Sequence, residues 1–184
     1  MSRAGRRLFF ALWPTDEIRA ALTEACRPAL RMCAGRPVPP HHYHVTLAFL
    51  GNSDVPLARF DRLAEMAADA PSGFELVLDR CGHWRGPRVL WIGPTHCPAA
   101  LTGLVAQLRA ELDGLGIDYD RRDFNAHLTL ARKVTVLPEL QEPDSVHWRV
   151  NEFVLVESKV TQQGSVYEVV RRFSGGSRHD PNRH

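Results

Sequence analysis

At 184 residues, with 44% apolar and 24% charged side chains, the chain can bury a core without disulfide or metal staples, and its composition excludes global disorder. The 23 basic and 21 acidic residues leave a formal charge of +2, which excludes a broad basic face that coats nucleic acid but not a local phosphate site. Cys26, Cys33, Cys81 and Cys97 form no C-x-x-C pair, and the apolar run Leu8 to Trp13 is too short to cross a bilayer, so a reduced, cytoplasmic protein without a membrane segment is expected.

In chain order, Leu8 to Leu12 reads as a buried strand. A helix follows, with Thr15 as N-cap, Asp16 and Glu17 in its first turn, and Ile18, Ala21, Leu22 and Cys26 at helical spacing. Pro28 is expected to end or disturb it. Gly35 to Tyr43, with Pro37, Pro39 and Pro40, reads as a loop. His44 to Leu50 reads as a strand, and Pro56 to Ala70 as a helix with Leu57, Phe60, Leu63, Ala64 and Ala67 on one face. Phe74 to Leu78 and Arg88 to Ile92 are predicted strands. Pro98 to Leu112 is a predicted helix, with Leu101, Leu104, Val105 and Leu108 on one face, ended by Gly114 and Gly116. His127 to Val136, Val150 to Val156 and Val166 to Phe173 are predicted strands, with a turn at Gln162-Gln163-Gly164-Ser165. Residues 1–173 are expected to form one domain, and 174–184 a disordered tail.

The informative feature is a pair of tetrapeptides, His44-Val45-Thr46-Leu47 and His127-Leu128-Thr129-Leu130, each opening a predicted strand and separated by 83 residues. Strand alternation sends His and Thr to one face and the two apolar residues to the other. Two such strands facing each other surround one substrate with two imidazoles and two hydroxyls. That set suits phosphodiester hydrolysis: one imidazole activates water, the other protonates the departing oxygen, and the hydroxyls bond the phosphate oxygens. Arg132 is a natural phosphate clamp, but strict alternation puts it on the wrong face, so the strand must bulge, twist or end to deliver it.

At these residues the chain resembles the two-histidine phosphoesterase superfamily, and within it the LigT-like RNA 2′,3′-cyclic phosphodiesterases. Arg7-Leu8-Phe9-Phe10-Ala11-Leu12 resembles the opening strand. His44 to Gly51 resembles the first motif block and Ala126 to Arg132 the second, although many relatives carry Pro where this chain has Ala126. The resemblance spans about residues 7–173. It implies an α+β fold: two pseudo-symmetric lobes, each an antiparallel sheet with flanking helices, around a central cleft. It implies opening of a terminal 2′,3′-cyclic phosphate to a 2′-phosphate, with 2′-5′ RNA ligation as the chemical reverse. It assigns His44 as proton donor, His127 as proton acceptor, and Thr46, Thr129 and Arg132 as the phosphate-binding residues. No cofactor is implied. The expected partners are RNA 3′ ends bearing the cyclic phosphate, tRNA fragments among them, met by a monomer.

Other residues carry weaker signals. His41-His42-Tyr43-His44 invites a metal reading, but adjacent residues rarely converge on one ion and no Cys or carboxylate spacing completes a set, so no metal site is expected. Tyr43 and Phe124 are placed to stack on a base. Phe49 is a third candidate, although its parity with Val45 and Leu47 favours the core. Trp84, Trp91 and Trp148 are expected in the core or between lobes. Arg121-Arg122 is either a solvated loop or an RNA contact. Two rival functions remain open: the same chemistry on a non-RNA cyclic phosphate or a 2′-5′ oligoadenylate, and a non-catalytic module that grips RNA ends.

Overall fold

The computed structural model describes residues 5–64, 73–136, 140–161 and 164–174. β1 (Arg6–Leu12) pairs with strands on both edges and is buried from Leu8 to Leu12 because both its faces are covered, Leu8, Phe10 and Leu12 by the main core and Phe9 and Ala11 by a smaller apolar cluster. α1 (Asp16–Ala25) begins as expected: the Thr15 hydroxyl accepts the Ile18 N–H at 3.4 Å. Pro28 does more than end it. It occupies the first turn of a second helix, α2 (Arg27–Met32), where a missing N–H costs nothing.

The stretch 35–43, expected as a loop, contains β2 (Ala34–Pro37) and a 3₁₀ turn at Pro40–His42. The reason is tertiary. β3 (Val45–Ser53) and β7 (Leu128–Val136) share one backbone pair, Val45 with Leu128, and then diverge. The edge of β7 so vacated is taken by β2, in a register running from Ala34–Val136 to Pro37–Ala131 and extended by the Val38 N–H to the Leu130 carbonyl at 2.8 Å.

Of the expected helix over 56–70, the described part begins with a 3₁₀ turn at Leu57–Phe60 and turns α-helical at Leu63 and Ala64, with Phe60 and Leu63 fully buried; 65–70 lie outside the described residues. β4 (Phe74–Leu78) pairs with β8 (Val146–Val150) as a separate ribbon. β8 runs into the strand predicted from Val150, with a break at Asn151 that starts β9 (Glu152–Thr161). β5 (Arg80–Trp84) carried no strand signal. It forms because Gly82 lets the Trp91 ring of β6 (Val89–Gly93) lie against its backbone; a Cβ at Gly82 would sit 2.1 Å from that ring. α3 (Ala99–Gly114) buries Leu101, Val105, Leu108 and Leu112. Its end is closed by Gly116 at φ +65, with the Ile117 N–H on the Leu112 carbonyl. β10 (Gly164–Ser174) completes the sheet against β9. Residues 162–163 of the expected turn and 175–184 of the expected tail lie outside the described residues.

The eight-stranded sheet runs β10-β9-β1-β3-β7-β6-β5, with β2 beside β7, and every ladder among the described residues is antiparallel. It behaves as two half-sheets hinged at the Val45–Leu128 pair. The halves are interleaved in sequence, because β9 and β10 return to the half begun by β1 and β3. The main core lies on the helix-covered face. A smaller cluster of Phe9, Ala11, Val154 and Val156, with Trp13, Phe49 and Tyr167 beside it, covers the other face of the first half. No helix among the described residues is long and apolar enough to cross a membrane.

Candidate active site

The single pair joining the half-sheets lies inside both tetrapeptides. Val45 and Leu128 are fully buried, so alternation turns His44, Thr46, His127 and Thr129 to the opposite face. The antiparallel register carries Thr46 toward His127 and His44 toward Thr129, an arrangement with local twofold symmetry. All four side chains line one cleft of about 500 Å³.

A matching irregularity in each strand delivers the next residue. On β3, Thr46 pairs with Ala11 and Ala48 with Phe10, leaving Leu47 as an extra residue. On β7, Thr129 pairs with Trp91 and Ala131 with Leu90, leaving Leu130 as the extra residue. Each bulge buries two successive residues and inverts the parity beyond it. Arg132 therefore reaches the cleft face with His127 and Thr129, by the bulge that strict alternation lacked. The corresponding residue of the first strand is Phe49. It also lines the cleft, beneath the Arg7 guanidinium at 5.0 Å, so its expected core position is corrected by the same cause. Phe124 lines the cleft as well. Tyr43 does not. It is 1% exposed within the main core, and burial, then the nearby Cys26, push its hydroxyl up to about 12, so base stacking by Tyr43 is excluded.

Both imidazoles are held the same way. His44 Nδ1 lies 2.7 Å from the His42 carbonyl oxygen, and His127 Nδ1 lies 2.8 Å from that of Asn125. A carbonyl only accepts, so Nδ1 carries the proton in each ring and Nε2 is left for chemistry. The surroundings differ. The His44 ring packs against Phe9 at 4.9 Å, Trp13 in a stack at 5.7 Å, and the edge of Tyr167 at 5.4 Å. Burial pushes it down to about 4; the His42 carbonyl opposes this, and the charges of Arg132, His127 and His42 add to it. His127 meets one aromatic, Trp84, edge to face at 4.5 Å. Its imidazole is also held below the usual value, mainly by burial and then by Arg132, against the Asn125 carbonyl.

Sequence reasoning missed this aromatic lining. Trp84 was expected in the core or between lobes, and Trp13, Phe9 and Tyr167 stand on strands or strand ends far from either motif in sequence. It also missed Arg7, Arg109, Asp120 and Asn125 at the cleft. Arg122 reaches the cleft lining with its charge engaged by Asp120, which it holds down to about 2. Arg121 pairs with Asp113 at 2.8 Å. Among the described residues no three His, Cys, Asp or Glu side chains are grouped to hold a metal ion.

A family model described as the 2′-5′ RNA ligase superfamily matches residues 11–162. The RNA 2′,3′-cyclic phosphodiesterase of Escherichia coli is 32% identical over 171 residues, covering 92% of this chain and 96% of that protein. The protein of the same name from Thermus thermophilus is 35% identical over 183 residues, covering 91% and 89%. Among solved structures, E. coli LigT complexed with 3′-AMP matches with a TM-score of 0.81 at 31% identity, over 94% of this chain and 99% of that one. A Thermus thermophilus structure matches with a TM-score of 0.77 at 31% identity, over 91% and 97%. With the repeated His-x-Thr-Leu strands meeting at one cleft, and with relatives matched along nearly their whole lengths, this chain belongs to the 2′-5′ RNA ligase superfamily.

Proposed function

We propose that the protein is an RNA 2′,3′-cyclic phosphodiesterase that hydrolyses a terminal 2′,3′-cyclic phosphate to a 2′-phosphate. The observation that carries this is the convergence of His44, Thr46, His127, Thr129 and Arg132 on one cleft through a single strand pair and two matching bulges. The cyclic phosphate sits between the two Nε2 atoms. Thr46 and Thr129 donate to its non-bridging oxygens and Arg132 neutralises them. His127 Nε2 takes a proton from the attacking water as the new P–O bond forms. His44 Nε2 gives its proton to the 3′ oxygen as the P–O3′ bond breaks, leaving a 3′-hydroxyl and a 2′-phosphate. In the free enzyme His44 is neutral near pH 7. Its proton is taken up as the phosphate anion enters, because an adjacent negative charge stabilises the imidazolium. With a 5′-hydroxyl in place of water as the nucleophile, the same proton transfers open the ring to a 2′-5′ linkage and a free 3′-hydroxyl, and the same site accommodates it.

In this reading residues 1–173 act as one bilobal unit, a cytoplasmic monomer working on RNA 3′ ends such as those of cleaved tRNA. The test is hydrolysis of an oligoribonucleotide ending in a 2′,3′-cyclic phosphate, with EDTA present, by wild type and His127→Ala. Conversion to the 2′-phosphate by wild type alone is the expected result. Absence of turnover by wild type, or equal turnover by both, overturns the assignment.

A further inference from the structure

Charge is distributed unequally around the cleft. The segment 109–125 on one rim holds five Asp and Glu residues against three Arg. Its Arg121 and Arg122 are engaged by Asp113 and Asp120. Apart from Arg7, the rest of the cleft lining comes from segments 33–50, 80–93 and 126–136, which together hold six Arg and Lys residues and no Asp or Glu. In a chain of net charge +2 this is a local concentration of positive potential.

These cations flank β7 on both of its edges. Arg36 of β2 is the direct cross-strand partner of Arg132, so both side chains leave the same face of the sheet. Like charges in that position repel, and no carboxylate among the described residues pairs with either. On the other edge of β7, the Arg88 carbonyl accepts the Val134 N–H at 3.0 Å. Arg88 and Lys133 have φ of 54° and 56°, the two positive values among described non-glycine residues. Arg85 and Arg88 line an open groove of about 440 Å³ with His83, Val134 and Thr135, while Pro87 and Val89 of the same hairpin line the catalytic cleft. Arg36, Arg85, Arg88 and Lys133 are all exposed, and no ion pair engages them among the described residues.

We infer that Arg36, Arg85, Arg88 and Lys133 form a track for the backbone phosphates of the RNA upstream of its cyclic end, so that the enzyme favours oligonucleotides over mononucleotides. This rests on the proposed phosphodiesterase activity and extends it to the body of the substrate. Single-stranded RNA presents one phosphate per nucleotide, and contacts to it show as a salt dependence of about 0.7 in the log–log slope per phosphate neutralised.

The test compares a 2′,3′-cyclic mononucleotide with a hexaribonucleotide ending in the same group, across a salt series. The proteins are wild type, the triple variant Arg36→Gln/Arg85→Gln/Arg88→Gln, and Arg121→Gln from the acidic segment, each checked for an unchanged melting temperature. Wild type is expected to favour the hexamer, with a preference that salt erodes. The triple variant should lose roughly 10-fold or more in kcat/KM on the hexamer at low salt and about 2 from its salt slope. Its mononucleotide turnover should stay within about twofold, since no phosphate beyond the cleft is involved. Arg121→Gln should behave as wild type. A triple variant that keeps the wild-type hexamer preference and salt slope overturns the track. Should wild type hydrolyse neither substrate, the phosphodiesterase reading fails instead. Fluorescence anisotropy with a 3′-phosphorylated hexamer then decides the track separately, and equal binding by wild type and triple variant sinks it.

Discussion

The two histidine niches share a backbone design and differ in their walls. Each ring donates through Nδ1 to the carbonyl two residues earlier, and each precedes a Thr and a bulge. Yet His44 is boxed by Phe9, Trp13 and Tyr167, whereas among the described residues the one aromatic ring packed against His127 is Trp84. Past the bulges the strands diverge again, with Phe49 on one and Arg132 on the other. Symmetric scaffolding thus places two identical groups, and unlike neighbours make them chemically distinct. Without that difference a paired acid and base would compete for the same proton.

The comparison breaks most completely when either imidazole is removed. His44→Ala and His127→Ala should each lower kcat by roughly 10³, and the double variant little further, because acid and base act in one step. Single-turnover assays on a cyclic-ended oligonucleotide measure this. Arg132→Lys comes next. It keeps the charge and loses the planar fork, so kcat/KM should fall roughly 10- to 100-fold, more than for Phe49→Leu on the matching strand.

The pH dependence sharpens the contrast between niches. Both imidazoles titrate below their ordinary value in the free enzyme, His44 at about 4. The kcat/KM profile, which reports the free enzyme, should be bell-shaped and already declining above about pH 6.5. The kcat profile should peak at higher pH, because bound phosphate raises His44. Trp13→Leu should admit water beside His44 and raise its pKa by about one unit, moving the acid limb upward. His127 should not respond. Titration of the two ring protons by NMR checks both statements, and equal shifts at the two rings would show that Trp13 does not distinguish them.

A smaller effect appears in stability. The unfolded chain takes up a proton on His44 near pH 6.5 and the folded one only near pH 4. Stability is therefore fully present above about pH 6.5 and drains away as pH falls toward 4, by about 3 kcal/mol for this group. His44→Gln should flatten that part of the curve in urea titrations at pH 7.5 and 5, while His127→Gln should flatten it less.

Much of this molecule is legible in its sequence. The two tetrapeptides, the N-cap at Thr15 and the apolar stripe of Leu101, Leu104, Val105 and Leu108 are local patterns, so they announce strands and helices without help from the rest of the chain. The histidine pair was readable because one pattern occurs twice. Neither the face of Arg132 nor that of Phe49 was. Each depends on a bulge that exists because a neighbouring strand, β6 or β1, pairs out of step. β2 escaped notice because its Ala-Gly-Arg-Pro sequence has no strand signal and pairs only where β3 leaves an edge vacant. The aromatic box around His44 draws on residues 9, 13 and 167, which nothing in the linear pattern connects. Sequence alone singled out His44, Thr46, His127, Thr129 and Arg132 as the candidate groups. Tertiary pairing decided which way they point and what surrounds them, because parity along a strand is local, whereas register and burial are set by partners distant in the chain.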